Sequence, residues 1–465
     1  MQPLSKPAHV VGVVGGAVSG SVAARLLAER GCEVVVFEQN DRPYGKIEDG
    51  LPRWHTKLRR QEYEKIDERM KHPHIHFVPR TRLGKDIDFR EMATTWGFSA
   101  FCLANGAWRD RPLEVPGVDA YVGKGLVYQN PLIYWFNHKN EKSYSGPRYE
   151  IPEGALCVGG GLASIDVIKV IQLELYERAL RKRGIECTMY DLEHQGIAAF
   201  LKKQGIDDPK TLGVTDGLLV YRRRTEDMPL AEMPPKPTPE QEKKAETVRR
   251  KILEIAQRKF LFRFQERRLS KSAIIEGDRL VGLVMVETKV EGKKVEAVPG
   301  SEQEVRAPLV VSSIGSVPEK IQGITMKGET YAFTNWDNGE FGEIPGVYGL
   351  GNVVTGKGNI RESFEHGEYV GKFLAESYLG LGETKDLASA TAPAEKEALA
   401  AAEAVAGYIA AKPPLEPAKC NAILERVHAR QTQVGYADYA SWIAKNTPPD
   451  LEWVGVGVAI TARPR

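Results

Sequence analysis

The sequence has no closely spaced cysteines, little net charge and no long apolar run. Its five cysteines lie far apart in 465 residues, without a Cys-x-x-Cys pair, which argues against a disulfide framework, an iron–sulfur cluster or a dithiol of adjacent cysteines. A formal charge of +2 gives no sign of nucleic-acid binding. No apolar run approaches the ~18 residues of a membrane span, and the N-terminus does not resemble a signal peptide. We therefore expect a cytoplasmic protein without a membrane span, large enough for two or three domains.

The stretch Val10–Asn40 predicts a strand, a glycine turn, a helix and a second strand. "HVVGVV" is typical of a buried parallel strand, and "EVVVFE" is typical of a second one that ends at Glu38. This spacing is that of the Rossmann fingerprint, in which the turn and the helix N-terminus receive a pyrophosphate and the acid binds a ribose hydroxyl. The alternative is a βαβ unit that binds no nucleotide.

Ala17 stands where the fingerprint normally has a glycine, at the closest approach of the backbone to the pyrophosphate. We expect a small shift of the turn to accommodate its methyl group. Because the carboxylate of Glu38 would repel a 2′-phosphate, the site suits FAD or NAD rather than NADP. The predicted cofactor-binding residues here are Gly15, Gly16, Ala17, Ser19, Gly20, Glu38 and Gln39.

A second strand–glycine–helix stretch has the opposite charge at the corresponding position. A strand at 155–158 precedes three glycines and an amphipathic helix, and a charged insertion at 176–215 delays the next strand, "GLLVYRRRTEDMPL". Arginines at its tip suit a 2′-phosphate, so this site predicts NADPH and leaves FAD to the first. The alternative is a solvated basic strand end. The predicted residues are Gly159, Gly160, Gly161, Leu162, Ala163, Arg222, Arg223 and Arg224.

Further stretches follow one another in an order known from one protein group. They are "FEQNDRPYGKIEDGLPRWHTKLR", "CLANGAWRDRPLEVPGVD", "PLIYWFNHKN", "VYRRRTEDMP", "LVVSSIGSVP" and "GVYGLGNVVTGKGNIRES". In this order the chain resembles, over about residues 10–380, flavoprotein NADPH reductases of the adrenodoxin reductase type and their relative, the glutamate synthase small subunit. It departs from their pattern at Asn352 and at Lys357-Gly358, and it has no cysteine-rich leader.

The resemblance implies additional site residues. Those expected to bind FAD are Gly45, Lys46, Asn105, Gly106, Gly351, Asn352, Lys357, Gly358, Asn359 and Ile360. The implied catalytic residues are His55 beside the flavin, Asp166 behind the second glycine turn, and Glu232 past the arginines. A His55–Asp166 pair could orient the stacked rings and handle the flavin proton. Alternatively, Asp166 only forms hydrogen bonds around its own helix.

The order of the motifs predicts an α/β fold with two Rossmann-like dinucleotide-binding domains. Because FAD motifs lie at both ends, the FAD domain is expected to be discontinuous, at 1–118 and 330–385, with the NADPH domain at 119–329 inserted into it. Residues 386–465 are expected to form a helical C-terminal extension that docks on the FAD domain or on a partner. The stretch Pro234–Lys244 is expected to be an exposed loop.

The resemblance implies an FAD-dependent oxidoreductase that takes hydride from NADPH and passes single electrons to a ferredoxin- or flavodoxin-type acceptor. One alternative is a reductase subunit of a larger complex, like the glutamate synthase small subunit. Another is a flavoprotein whose cofactors are structural or sensory.

Two surface features allow more than one interpretation. Three histidines in "KHPHIHFVPRT", His72, His74 and His76, alternate on one strand face and could bind a metal, but we favour an exposed strand edge and predict no metal site. The basic residues Arg53, Lys57, Arg59 and Arg60 are either a docking patch for an acidic electron acceptor or a solvated face.

Overall fold

The computed structural model describes residues 3–231, 237–292, 294–355 and 392–448. Its strands are β1 Val10–Val14, β2 Glu33–Phe37, β3 Ile75–Val78, β4 Ala100–Leu103, β5 Arg109–Asp110, β6 Leu126–Tyr128, β7 Leu156–Gly159, β8 Leu218–Val220, β9 Arg263–Gln265, β10 Arg268–Glu276, β11 Arg279–Glu291, β12 Lys294–Ala297, β13 Gln303–Arg306, β14 Val310–Ser313, β15 Ser316–Val317, β16 Met326–Lys327, β17 Thr330–Tyr331 and β18 Val347–Gly349.

The helices are α1 Val18–Glu29, α2 Lys46–Asp49, α3 Thr56–Met70, α4 Phe89–Thr94, α5 Gln129–His138, α6 Leu162–Lys182, α7 Met189–Gln195, α8 Ile197–Lys203, α9 Pro239–Phe260, α10 Asn352–Thr355, α11 Ala392–Ala410, α12 Pro417–Val434 and α13 Tyr439–Asn446. Short 3-10 helices lie at Val118–Tyr121, Pro209–Leu212 and Thr225–Asp227. Within the described ranges, no helix combines the length and hydrophobicity that a membrane crossing needs.

Two parallel five-stranded sheets organise the structure. The first has the order β18-β4-β1-β2-β3 and the second the order β6-β14-β7-β8-β9. Every residue of β1, β2, β7 and β14 is buried, as expected for parallel strands covered on both faces. The α/β fold with two dinucleotide-binding-type sheets, predicted from the motif order, is confirmed.

The strand orders place both glycine turns where such sheets bind ligands. In the first sheet β1 pairs with β2 on one side and with β4 on the other. The chain therefore adds strands in opposite directions on the two sides of β1. In the second sheet β7 lies between β8 and β14 in the same way. Ligands bind at this switch point, beyond the carboxyl ends of the strands. The turns after β1 and β7 therefore both occupy a binding position.

Two short chain crossings join the sheets. Strands β5 and β15 pair in antiparallel fashion, with Arg109 opposite Val317 and Asp110 opposite Ser316. An antiparallel sheet of β10, β11 and β12, with β13 also paired to β11, covers the second sheet through buried Leu283 and Met285.

The insertion after α6 folds back onto that helix. Helix α7 supplies Glu193, whose carboxylate accepts a 2.7 Å hydrogen bond from Nζ of Lys169 on α6. The side chains of Lys169 and Glu193 are 0% and 4% exposed. Burial would raise the pKa of Glu193, but the charges of Lys169 and Lys259 outweigh it and lower that pKa. Nζ of Lys169 also lies 4.4 Å from the ring centroid of Trp54. The insertion itself reaches the segment that carries His55 through the hydroxyl of Tyr190, which accepts from Nε of Arg53 at 3.2 Å.

The C-terminal helices pack against the cores on the two faces of the first sheet. Helix α11 buries Ala402 and Val405 in the same core as Ala24 and Leu27 of α1. Helix α12 joins the core on the other side of that sheet through residues such as Ile423. The sequence leaves open whether these helices dock on the FAD domain or on a partner. The described helices pack on the domain that contains the first glycine turn.

Two details of the sequence-based expectations are wrong. The stretch Pro234–Lys244 is expected to be an exposed loop, but its residues from Pro239 onward form the start of α9. Thr238 and Gln241 form a capping box at the N-terminus of this helix. Of the three histidines, only His76 lies within edge strand β3.

The histidine cluster binds a carboxylate. His74 and His76 contact the Glu33 carboxylate at 2.8 and 2.7 Å. Within the described ranges, no group of three or more histidine, cysteine, aspartate or glutamate side chains is arranged to hold a metal ion.

The buried Lys169–Glu193 pair provides a test of the packing of the insertion. Replacing Glu193 with glutamine leaves the Lys169 ammonium buried without its counter-charge, and we expect a loss of about 3–5 kcal/mol in the free energy of unfolding. The measurement is urea unfolding followed by circular dichroism. The control is Glu64→Gln, which removes an exposed ion pair with Arg60 and should cost at most about 0.5 kcal/mol. Equal effects of the two substitutions would contradict this account.

Candidate functional site: two glycine turns

The turn after β1 requires glycine at two positions for steric reasons. Gly15 has a φ of +94°, and a Cβ there would lie 2.5 Å from the carbonyl oxygen of Ala104. A Cβ on Gly20 would lie 1.8 Å from the carbonyl oxygen of Gly15. These contacts bring the start of α1 against the end of β1, which leaves the first N–H groups of the helix directed at the turn.

Ala17 is accommodated in this turn without backbone strain. Its φ of −71° and ψ of −156° are ordinary for an L-residue. Gly45, on the loop that precedes α2, has a φ of +50°, and a Cβ there would lie 2.8 Å from the Cβ of Ala17. The alanine methyl thus occupies space that the absent side chain of Gly45 leaves.

Glu38 links the tip of β2 to the glycine turn. Its carboxylate accepts hydrogen bonds from the backbone N–H of Gly16 at 2.9 Å and of Asn40 at 3.0 Å. The residue is 4% exposed, and burial raises its pKa to about 7 despite these bonds. Gln39 follows, half-buried. A carboxylate held here can accept a hydrogen bond from a ribose hydroxyl and would repel a phosphate.

The described part of the last predicted motif lies next to the glycine turn after β1. Gly351 has a φ of +66°, and a Cβ there would lie 2.1 Å from Oγ of Ser19. Asn352 begins α10 directly after it. The remaining predicted residues of this motif, together with one predicted catalytic acid, lie outside the described residues: Lys357, Gly358, Asn359, Ile360 and Glu232.

Asn105 and Gly106 follow β4 on the other side of the switch point. Nδ2 of Asn105 donates to the hydroxyl of Tyr331 at 3.0 Å. Its Oδ1 is buried and has no hydrogen-bond partner within the described part of the chain. Gly106 has a φ of +68°. A buried acceptor without a partner is costly, and a ligand with hydrogen-bond donors would satisfy it.

Lys46 occupies the position after Gly45. Its Nζ donates to Oδ1 of Asn130 and Oγ of Ser316, both at 3.1 Å, so it connects α2 to α5 and β15. Burial lowers its pKa to about 8. Lys46 therefore supplies a buried donor between the two sheets.

Asn137 was not identified from the sequence, although it lies in the quoted stretch "PLIYWFNHKN". From α5 its Nδ2 donates to the carbonyl oxygens of Glu48 and Leu51 at 2.9 and 3.0 Å. Its Oδ1 accepts from the backbone N–H of Arg53 at 2.8 Å. The side-chain amide of Asn137 thus binds the backbone at three positions between Gly45 and His55. No local sequence pattern indicates this role.

His138, the next residue, was also missed. Its Nε2 contacts Oδ1 of Asp49 at 3.0 Å and its Nδ1 contacts Oε1 of Glu141 at 2.8 Å. Burial would lower the pKa of His138, but the hydrogen bonds to both carboxylates outweigh burial and raise it. Asp49 in turn accepts from Nδ2 of Asn40 at 3.2 Å. A chain of hydrogen bonds therefore runs from His138 to the residue whose N–H contacts Glu38.

The turn after β7 is equally constrained. A Cβ on Gly159 would lie 2.3 Å from the carbonyl oxygen of Ser313, and one on Gly160 would lie 2.2 Å from the ring of Tyr221. Gly161 has more room, since Pro229 at 3.8 Å is the nearest neighbour of its hypothetical Cβ. Leu162 and Ala163 form the half-buried first turn of α6.

The three arginines past β8 differ in their contacts. Arg222 is exposed, with its Nη1 3.6 Å from Glu114. Nη2 of Arg223 donates to the carbonyl oxygen of Gly292 at 2.6 Å. Nε and Nη2 of Arg224 donate to both carboxylate oxygens of Asp227, at 3.0 and 2.9 Å. The guanidinium of Arg224 makes a two-point contact with Asp227, whereas that of Arg223 lies 3.7 Å from the same carboxylate, so Arg222 and Arg223 are less tightly bound to it than Arg224.

His55 and Asp166 are brought together. His55 Nε2 lies 3.7 Å from Oδ1 of Asp166, beyond hydrogen-bond length. The same Nε2 lies 3.0 Å from Nε1 of Trp54, which donates to it. Both predicted residues are buried, between the segment held by Asn137 and the start of α6.

Both interpretations of the predicted basic patch, a docking surface and a solvated face, require exposed side chains, and both are wrong for Arg59. It is 7% exposed, and its Nη2 donates to the carbonyl oxygen of Glu48 and the hydroxyl of Tyr63, both at 3.1 Å. Lys57 and Arg60 are exposed as expected.

Comparisons with known proteins agree with this geometry. A family model described as an NAD(P)-binding Rossmann-like domain matches residues 13–52. The mitochondrial NADPH:adrenodoxin oxidoreductase of Arabidopsis thaliana is 25% identical over 171 residues, 36% of this chain and 34% of that protein. A glutamate synthase [NADPH] small chain of Bacillus subtilis is 32% identical over 172 residues, 36% of this chain and 33% of that protein. The resemblance to these protein groups is thus confirmed, although the chain spans only about a third of these relatives' length.

One solved structure matches almost the whole chain. It is FprA from Mycobacterium tuberculosis in complex with NADPH, with a TM-score of 0.65 and 16% identity over 92% of this chain and 91% of that chain. At this identity the match shows a shared fold.

The buried His138 provides a test through pH. Its pKa is raised in the folded state, so its stabilising charge is fully present below the unfolded value of about 6.5 and is lost as the pH rises through the folded pKa. We expect His138→Gln to lower the free energy of unfolding by about 2–3 kcal/mol at pH 6, and by clearly less at pH 9. The measurement is chemical unfolding at both pH values, with the exposed His428→Gln as control. A cost that is equal at both pH values would contradict the assignment.

Proposed function

We propose that the protein is an FAD-dependent oxidoreductase that takes hydride from NADPH and passes single electrons to a ferredoxin- or flavodoxin-type acceptor. One observation carries the proposal. Two parallel sheets each place a glycine turn at their switch point, and the neighbouring strand tip carries a buried carboxylate, Glu38, in one sheet and arginines in the other. Opposite charges at equivalent positions suit two different dinucleotides.

The residues of the first turn fit FAD. Glu38 would accept from the ribose of its ADP half, and the N–H groups at the start of α1 would face its pyrophosphate. The donor Lys46 and Oδ1 of Asn105, a buried acceptor to which the described residues offer no partner, would hold the polar side of the flavin. Gly351, Asn352 and Lys357 to Ile360 are proposed to complete this site.

The residues of the second turn fit NADPH. The first turn of α6 would face the pyrophosphate, while Arg222 and Arg223 would bind the 2′-phosphate with charge-assisted hydrogen bonds. FAD at the first site would supply a two-electron acceptor that can release electrons one at a time. His55 and Asp166 are proposed to orient the rings and to handle the flavin proton, with Glu232 as a further acid.

We propose the domain division that the order of the motifs predicts, and the crossings at β5 and β15, near its two boundaries, support it. Residues 1–118 and 330–385 would form the FAD domain, 119–329 the NADPH domain and 386–465 the helical extension. We place the protein in the cytoplasm, which five free cysteines without a disulfide support.

A second candidate is a reductase subunit of a larger complex. The matched relatives named glutamate synthase small chain favour it. Co-purification with a larger protein at constant stoichiometry would distinguish it from a free enzyme.

The first test is the flavin itself. We expect the purified protein to bind FAD in a 1:1 ratio, and anaerobic NADPH to bleach the flavin absorbance faster than NADH does. The measurement is a stopped-flow absorbance trace under argon, with NADPH added to free FAD as the control. A protein that takes up no FAD would contradict the proposal. A bound flavin that NADPH leaves oxidised would favour a structural or sensory role.

The second test concerns the nicotinamide coenzyme. Arg222→Ala and Arg223→Ala each remove a cation proposed to bind the 2′-phosphate, so we expect kcat/KM for NADPH to fall about 10- to 100-fold, with that for NADH nearly unchanged. Arg224→Ala should have a smaller effect, because its guanidinium makes a two-point contact with Asp227, from which Arg223 is 3.7 Å distant. Arg181→Ala, on the exposed end of α6, is the control. An unchanged ratio of the two coenzymes in the first two variants would contradict the assignment.

A further inference from the structure

Helices α12 and α13 contact the loops that surround Glu38, far from them in sequence. The first of these loops, Glu38–Gly45, is called the carboxylate loop here; it runs from the tip of β2 to the glycine that contacts Ala17. The second follows β3 and contains Arg80 and Thr81.

Helix α13 binds the carboxylate loop at two points. Nε1 of Trp442 donates to the carbonyl oxygen of Asp41 at 2.7 Å. The hydroxyl of Tyr439 donates to Oδ1 of Asp67 at 2.7 Å, and Asp67 also accepts from the hydroxyl of Tyr44 at 3.0 Å. Trp442 and Tyr439 are 4% and 8% exposed. The helix therefore contacts the loop directly at Asp41 and, through Asp67 of α3, at Tyr44.

Helix α12 holds the second loop against the first. Nε of Arg430 donates to Oγ1 of Thr81 at 2.9 Å, and its Nη2 donates to the carbonyl oxygen of Arg80 at 2.8 Å. The N–H of Thr81 in turn donates to the carbonyl oxygen of Glu38 at 2.8 Å, and that of Arg80 to the carbonyl oxygen of Asn40. Arg80 has a φ of +50°, a conformation that costs free energy for a non-glycine residue and persists only where neighbours impose it.

The main effect of these contacts is to fix the conformation of the loop. They go to backbone carbonyls and to a carboxylate that the loop already uses, so they select one loop conformation. A binding site whose loop is already ordered loses less entropy when the ligand binds. The bonds from α12 and α13 thus favour binding at Glu38, although neither helix is adjacent to the glycine turn in sequence.

We propose that Tyr439, Trp442 and Arg430 are positioning residues for the ADP half of the dinucleotide at the first glycine turn. The inference rests on the proposed FAD site. It gives the C-terminal helices a role in cofactor affinity, beyond that of a cap on the hydrophobic core.

The test uses the full-length apoprotein and FAD. In Tyr439→Phe the ring is kept and the hydrogen bond is lost, whereas Trp442→Phe keeps an aromatic side chain, smaller than indole, and also loses the hydrogen bond. We expect each to raise the FAD dissociation constant about three- to tenfold, and the double variant to raise it further. The dissociation constant of NADP+ should stay within twofold of wild type. Flavin fluorescence measures the first constant and calorimetry the second.

The control is Tyr436→Phe. Tyr436 packs against Phe77 and Trp442 in the same aromatic group, but no hydrogen bond of its hydroxyl is seen in the described part of the chain, so FAD affinity should not change. Hydrogen exchange of the apoprotein adds an independent readout. The amides of residues 38–45 should exchange faster in Tyr439→Phe and Trp442→Phe than in wild type, and at the wild-type rate in Tyr436→Phe.

The outcomes separate the two proposals. If wild type binds FAD and both test variants bind it within twofold of wild type, the positioning role is wrong while the FAD site stands. A purely structural role would lower the thermal midpoint of the apoprotein and leave the FAD constant and the exchange of residues 38–45 unchanged, which also overturns the inference. If wild type binds no FAD, both proposals fail. Should a variant not fold, Arg430→Lys, which keeps the charge but loses the two-point contact, replaces it.

Discussion

The hydrogen bond from the N–H of Gly16 to the buried carboxylate of Glu38 is the contact on which the first site depends. It joins the tip of one strand to the glycine turn of its neighbour, at the switch point of a parallel sheet. Burial disfavours the charged form of this carboxylate, and the backbone N–H groups of Gly16 and Asn40 offset part of that cost. The surrounding loops are held by residues from α5, α12 and α13, so helices distant in sequence support one carboxylate.

The second sheet repeats the geometry with different chemistry. Its glycine turn is constrained by Ser313 and Tyr221, and cations replace the carboxylate at the neighbouring strand tip. The two sites are joined by a ribbon of two short strands and by Lys46, which bonds to residues of α5 and β15. The same buried side chain thus connects the loop of one site to elements that lead into the other.

Much of the fold could be predicted from the sequence, because strand–glycine–helix units have a strong local signal. The valine-rich strands, the Gly15 and Gly159 turns and the charges at Glu38 and Arg222 all follow from residues close together in the chain. Contacts between distant residues could not be predicted. Asn137 and His138 look like ordinary residues of an amphipathic helix, and Arg59 has the same local pattern as its exposed neighbours. The packing of α5 against the loop at 45–55 distinguishes Asn137 and His138. Hydrogen bonds to Glu48 and Tyr63 distinguish Arg59.

The central claim is that one chain holds two dinucleotides in sites that differ by charge. A crystal structure of the protein with FAD and NADP+ tests it most directly. The account predicts an FAD ribose hydroxyl within hydrogen-bond distance of the Glu38 carboxylate and a 2′-phosphate in contact with Arg222 or Arg223. A phosphate beside Glu38, or a 2′-phosphate that contacts neither arginine, would contradict it.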